Sequence, residues 1–106
     1  MSNADEHIDV NTDDATVLTA RPRVAKMFRL QWEEVQQTWV LLYPEGMVKL
    51  NPSAGEIMKR CNGERSTAEI VAELEQAFGS TGLRDDVLAF LNMARQQHWI
   101  DIRGPT

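Results

Sequence analysis

The chain has 106 residues and a formal net charge of −5, which suits a single domain with a modest core. No apolar run approaches the roughly eighteen residues of a membrane-spanning helix. The one cysteine, Cys61, excludes an internal disulfide or a thiolate metal cage and points to a reducing, cytoplasmic home.

The charge is unevenly spread. Residues 1–20 contain Asp5, Glu6, Asp9, Asp13 and Asp14 and no Lys or Arg, so the other eleven acids balance the eleven bases of residues 21–106. The body is neutral, which weighs against a nucleic-acid binder. Residues 1–20 are too poor in large apolar groups to offset the entropy of ordering and are expected to be disordered. Ile8, Val10, Val17 and Leu18 are the residues by which they would dock as a short strand or swap onto a partner. This acidic stretch has no apolar h-region, so neither a secretory signal nor a transit peptide is expected. The folded domain is expected over residues 21–103.

Arg21-Pro22 opens that domain. Arg23 to Trp32 alternates as an edge strand, with Val24, Phe28, Leu30 and Trp32 on one face and Lys26 interrupting it. Glu33 to Gln37 is a polar connection. Thr38 to Tyr43 is β-branched and aromatic, and the unbroken apolar run Trp39-Val40-Leu41-Leu42 predicts a central strand buried on both faces. Pro44-Glu45-Gly46 is a turn, and Met47 to Leu50 returns as a third strand. Short connections imply an antiparallel meander.

Asn51 then offers an N-cap and Pro52 suits the first helical position, while Ser53 with Glu56 is a competing capping box. Ala54, Ile57, Met58 and Cys61 form one apolar stripe, and Asn62-Gly63 ends it. Ser66 and Glu69 make a second box ahead of the stripe Ile70, Val71, Leu74 and Phe78, which Gly79 ends. A third helix is expected from about Leu83 to Gln97, with Leu83, Val87, Phe90, Leu91 and Ala94 as its core stripe and Leu88 and Met93 beyond it. Trp99 to Ile102 is a short extended tail able to pack back, and residues 104–106 are expected to fray. The fold class is α+β: a three-stranded antiparallel sheet followed by three helices, in a winged helix-turn-helix-like layout.

Few residues point to catalysis. His7 and His98 lie far apart, neither has a partner at ligand spacing, and His98 suits a helix C-terminus. No phosphate-binding glycine loop or nucleophile elbow occurs. Cys61 sits on an apolar stripe, which favours core packing over a nucleophile. Glu33 and Glu34 are adjacent and would point to opposite faces. No catalytic residue, metal site or cofactor is expected.

Two binding functions remain. A winged-helix DNA reader would use Arg84, Asn92, Arg95, Gln96 and Gln97 of the third helix, but Asp85 and Asp86 open that helix where base contacts concentrate. A peptide receptor fits better. The strand Met47–Leu50 is an edge with Lys49 as its one blunting charge, and an edge beside an apolar helix face takes an extended peptide as an added strand. Leu88 and Met93 would widen that groove, and Arg84 or Arg95 would add a charge contact. On this basis Val48→Pro is expected to block pairing, and Leu88→Asp to abolish binding without loss of stability.

The ordered segments Arg21-Pro22, Leu41-Leu42-Tyr43-Pro44-Glu45-Gly46-Met47-Val48-Lys49-Leu50-Asn51, Cys61-Asn62-Gly63-Glu64-Arg65-Ser66, Ile70-Val71 with Leu74, and Asp86-Val87 with Phe90-Leu91 resemble the PqqD family of pyrroloquinoline quinone (PQQ) biosynthesis. The likeness spans residues 21 to about 100. Asn62 stands where that family more often has Asp, and either residue suits the turn.

The resemblance implies a non-catalytic peptide chaperone, of the kind called a RiPP recognition element. It would bind the precursor peptide PqqA and present it to the radical S-adenosylmethionine enzyme PqqE. It implies a peptide site made of Met47, Val48, Lys49 and Leu50 on the strand, with Val87, Leu88, Phe90, Leu91, Ala94 and Arg95 on the helix. The iron–sulfur clusters and S-adenosylmethionine belong to the partner enzyme. A monomer is expected for a carrier, and the open edge permits a homodimer.

Overall fold

The computed structural model describes residues 18–103. Along them run β1 (Arg21–Val24), β2 (Arg29–Glu33), β3 (Thr38–Tyr43), β4 (Gly46–Lys49), α1 (Pro52–Lys59), α2 (Thr67–Phe78), α3 (Arg84–Gln96) and β5 (Ile100–Arg103). The expected disorder or docking of residues 1–17 and the fraying of 104–106 lie outside the described residues.

The meander is present as an antiparallel sheet in the order β2-β3-β4. β3 takes the centre, as its apolar run requires, with Val40 and Leu41 both buried. Its register pairs Leu41 with Leu30 on one side and with Val48 on the other. Pro44 presets its φ in the two-residue turn closed by Tyr43 and Gly46. The β2–β3 turn places Gln37 at φ 55°, and the Gln37 amide donates to the carbonyl (2.9 Å) and carboxylate (3.0 Å) of Glu34.

The expected strand from Arg23 to Trp32 is not continuous. It breaks at Ala25, where the Phe28 N–H donates back to the Ala25 carbonyl at 3.0 Å and Lys26 and Met27 swing into solvent. The half before the break, β1, leaves the meander and pairs antiparallel with β5, Pro22 opposite Ile102 and Val24 opposite Ile100. The C-terminal tail therefore packs back as a true strand.

The other edge of β1 is also occupied. The Val24 N–H donates to the Cys61 carbonyl at 3.1 Å, and the Gly63 N–H to the Pro22 carbonyl at 3.0 Å. The α1–α2 turn is thus pinned to the small sheet, with Gly63 at φ 83°. Just ahead of β1, Ala20 is buried and its carbonyl accepts from the Thr67 N–H at 3.0 Å.

The starts of α1 and α2 resolve as their caps predict, but α1 stops at Lys59 on a right-handed Arg60, ahead of the expected Asn62-Gly63 end. Asn51 caps α1, its Oδ1 accepting from the Ala54 N–H at 2.7 Å, so the rival start at Ser53 is not used. Ser66 and Glu69 form a complete capping box on α2, and Gly79 (φ 63°) ends it. Both helices bury their expected stripes around Leu41, Leu50, Leu91 and Ile100, except that Phe78 at the end of α2 stays exposed. Glu56, Arg60, Glu73 and Arg65 link them in a chain of ion pairs of 2.7–3.2 Å. The Arg60 hydrogen bond, opposed by partial desolvation and helped by Lys59, holds the Glu56 carboxyl below its usual range. Arg65 does the same for Glu73.

α3 ends in a Schellman motif: the His98 N–H donates to the Arg95 carbonyl at 3.0 Å and the Trp99 N–H to the Ala94 carbonyl at 2.9 Å. Its left-handed position, φ 64°, is occupied by the exposed His98, where α2 has Gly79. A side chain pays conformational energy there that glycine avoids. Net of glycine's greater freedom when unfolded, His98→Gly should stabilise by roughly 1 kcal/mol. That corresponds to a melting temperature higher by about 4 °C. An unchanged or lower melting temperature in calorimetry contradicts this account.

Candidate functional site

β4 is one of the two edges of the meander, β2 being the other: it pairs with β3 on one side, and no strand among the described residues lies on its outer side. Which of its peptide groups are free follows from the ladder. The Leu50 N–H donates to the Trp39 carbonyl at 3.0 Å, so this opposed pair is a hydrogen-bonded one. Bonded and non-bonded pairs alternate along an antiparallel ladder. Leu41↔Val48 and Tyr43↔Gly46 are therefore the bonded pairs, and the N–H and C=O groups of Met47 and Lys49 point outward.

This corrects the choice of Val48→Pro as a probe. Val48 directs its N–H at β3, so a proline there attacks the fold and not a guest strand. The side chains divide the same way. Leu50 is buried and Val48 half-buried on the core face, while Met47 (51% exposed) and Lys49 lie on the other.

The α3 residues expected in the site are mostly interior. Val87, Leu91 and Ala94 belong to the core. Leu88, expected beyond the core stripe, is only 9% exposed. Leu88→Asp would therefore bury a carboxylate, and it does not serve as a clean binding probe. Phe90 is half-buried with its ring 6.4 Å from that of Trp99, and Arg95 is exposed, donating to Asn92 Oδ1 at 3.1 Å. Met93 is 36% exposed, as its position off the stripe predicts. α3 packs chiefly on β5 and α2. Asp85 and Asp86 are exposed in its first turn, where they oppose a phosphate backbone.

A second feature has no counterpart in the sequence reading. A pocket of about 120 Å³ opens between the helices, walled by Ser53 and Ile57 of α1, Leu74 and Phe78 of α2, and Leu83, Asp86 and Val87 at the start of α3. Phe78, expected to close the core stripe of α2, is 54% exposed at this mouth. The only sequence signal is its place at the helix end, next to Gly79. Glu75 fixes one wall, its carboxylate accepting from the Leu83 N–H at 3.0 Å.

Cys61 is buried, and its thiol donates to the Ile57 carbonyl at 3.3 Å. Burial pushes the thiol up to about 12, so a nucleophilic thiolate is disfavoured at neutral pH. Among the described residues no cluster of three or more His, Cys, Asp or Glu is placed to hold a metal ion. No described helix is long and apolar enough to cross a membrane.

Comparison with known proteins bears on this geometry. The family model for coenzyme PQQ synthesis protein D (PqqD) matches residues 38–100. A protein of Azotobacter vinelandii named PqqA binding protein is 50% identical over 88 residues, 82% of this chain and 96% of the relative. One of the same name from Pseudomonas aeruginosa is 49% identical, over 81% and 95%. The solution structure of the PqqD part of Methylobacterium extorquens PqqCD, described as a functional and stand-alone RiPP recognition element, superposes with a TM-score of 0.64 at 27% identity. That match covers 76% of this chain and 87% of the other. The heterocyclase TruD shares the fold alone, with a TM-score of 0.61 at 18% identity over 78% of this chain and 11% of its own.

Proposed function

The chain belongs to the PqqD family, and from that premise we propose that it binds the precursor peptide PqqA as an added strand on β4 and presents it to PqqE. The single observation that carries this is the open edge of β4, where the peptide groups of Met47 and Lys49 have no strand partner among the described residues. The names of the relatives and the recognition-element description of the M. extorquens domain support the same ligand class. Backbone pairing supplies affinity that tolerates sequence, and neighbouring side-chain pockets supply selectivity. The chain's own part is to hold the peptide extended; PqqE performs the chemistry.

Titration of the ¹⁵N-labelled chain with synthetic PqqA tests the edge. The amides of Met47 and Lys49 should shift and gain protection from exchange, while that of Val48, already bonded to β3, should change least. Saturable binding with no response at Met47 and Lys49 rules out strand addition on β4. Presentation is tested separately: PqqE should form its cross-linked product from PqqA faster with this chain than without it. An unaltered rate rejects the presenting role and leaves peptide binding intact.

A further inference from the structure

We propose that the pocket between the three helices receives one apolar side chain of the bound precursor, of leucine or phenylalanine size, with an adjoining lysine or arginine of the peptide meeting Asp86. This extends the strand-addition proposal above and rests on it.

Size, cover, position and charge all point this way. A cavity of about 150 Å³ accepts a benzene molecule, so a pocket of about 120 Å³ suits a branched aliphatic or phenyl group and is small for an indole. Phe78 ends an apolar stripe, yet more than half of it remains exposed to solvent. An aromatic wall left open in this way gains from a guest that covers it. The pocket is also preformed, because Glu75 ties the first residue of its α3 wall to α2.

Its place in the chain links it to the edge. Ser53, on the rim, lies four residues beyond Lys49, in the first turn of the helix that follows β4. A peptide running along β4 towards that helix would be directed towards the Ser53 rim of the pocket. Charge selects the neighbouring residue. Asp86 is exposed on the pocket's lining and has no ion-pair partner among the described residues. Arg84 is also exposed in that turn but is not part of the lining.

The test uses the full chain with methyl labels and synthetic PqqA. The methyl signals of Ile57, Leu74, Leu83 and Val87 should shift together with the β4 amides. Phe78→Ala, at an exposed position, should keep the fold and lose roughly tenfold in affinity. Asp86→Lys should weaken binding a few-fold, less so at high salt. If the β4 amides respond but the pocket methyls do not, and Phe78→Ala binds like the unaltered chain, the pocket proposal is overturned and strand addition survives. If the methyls respond without the β4 amides, strand addition falls and the pocket proposal, which rests on it, is overturned with it. Methyl shifts produced merely by concentrating the protein without peptide would assign the pocket to a second copy of the chain and overturn the proposal.

Discussion

Lys49→Pro should leave the fold intact and weaken PqqA binding by roughly thirtyfold, the cost of about 2 kcal/mol for a lost donor and an orphaned peptide carbonyl. Its N–H points away from β3, and an outward N–H on an edge strand is where proline is tolerated. The ring then removes one of the donors available to a guest strand and stands in its path. Lys49→Ala is the control, since it removes the charge and keeps the N–H; its binding should change little.

Val48→Pro makes the opposite prediction. It deletes an N–H that bonds the Leu41 carbonyl within the meander, so it should cost stability, roughly 2 kcal/mol, before any peptide is added. Calorimetry and melting curves of the three variants separate the cases. If Lys49→Pro folds normally and binds at full strength, the guest does not pair with β4. If Lys49→Pro unfolds and Val48→Pro does not, Lys49 and not Val48 bonds to β3, and the ladder is shifted by one residue.

That pair of variants also shows what was legible in the sequence. The starts of α1 and α2 and the end of α2 were, because each carries its own chemistry: Asn51 and Pro52, Ser66 and Glu69, Gly79. The central position of β3 was too, because its run of apolar residues is buried from both sides. The break in the first strand was not. The turn from Ala25 to Phe28 contains no Gly, Pro, Asn or Asp, and an even number of residues preserves the alternation across it, so the period survives a change of sheet.

The site was legible as an edge but not as a set of atoms. Outward and inward peptide groups are distinguished by one cross-strand bond, Leu50 to Trp39, and no property of residues 47–50 alone reveals it. Leu88 misled for a related reason. A helical wheel measures angle from one stripe, and a residue off that stripe is still buried when another part of the fold covers its side of the helix. The pocket needed three helices in place at once, so neither Phe78 nor Asp86 announced it.

Gly55→Ala should be destabilising, by about 2 kcal/mol, although it introduces the best helix former into the middle of α1. Propensity alone predicts a gain of about 1 kcal/mol. Packing decides the sign. A Cβ on Gly55 would lie 2.7 Å from Trp39 Cδ1, 3.1 Å from its Cγ and 3.2 Å from its Cβ. Two of these atoms sit at the root of the side chain, so a rotation of the ring does not clear them, and β3 itself must give. The indole is also packed edge-on against Trp32, with ring centroids 5.4 Å apart.

The strain has a route to the peptide edge, because the Trp39 carbonyl holds the Leu50 N–H and thereby sets where β4 ends. Gly55→Ala should therefore lower the melting temperature by about 8 °C or more, with weaker PqqA binding alongside. In a Trp39→Leu background the same glycine change should become neutral or stabilising, since the obstructing ring is gone and only the helix gain remains. Equal losses in both backgrounds would show that Gly55 is needed for something other than the close approach of α1 to Trp39.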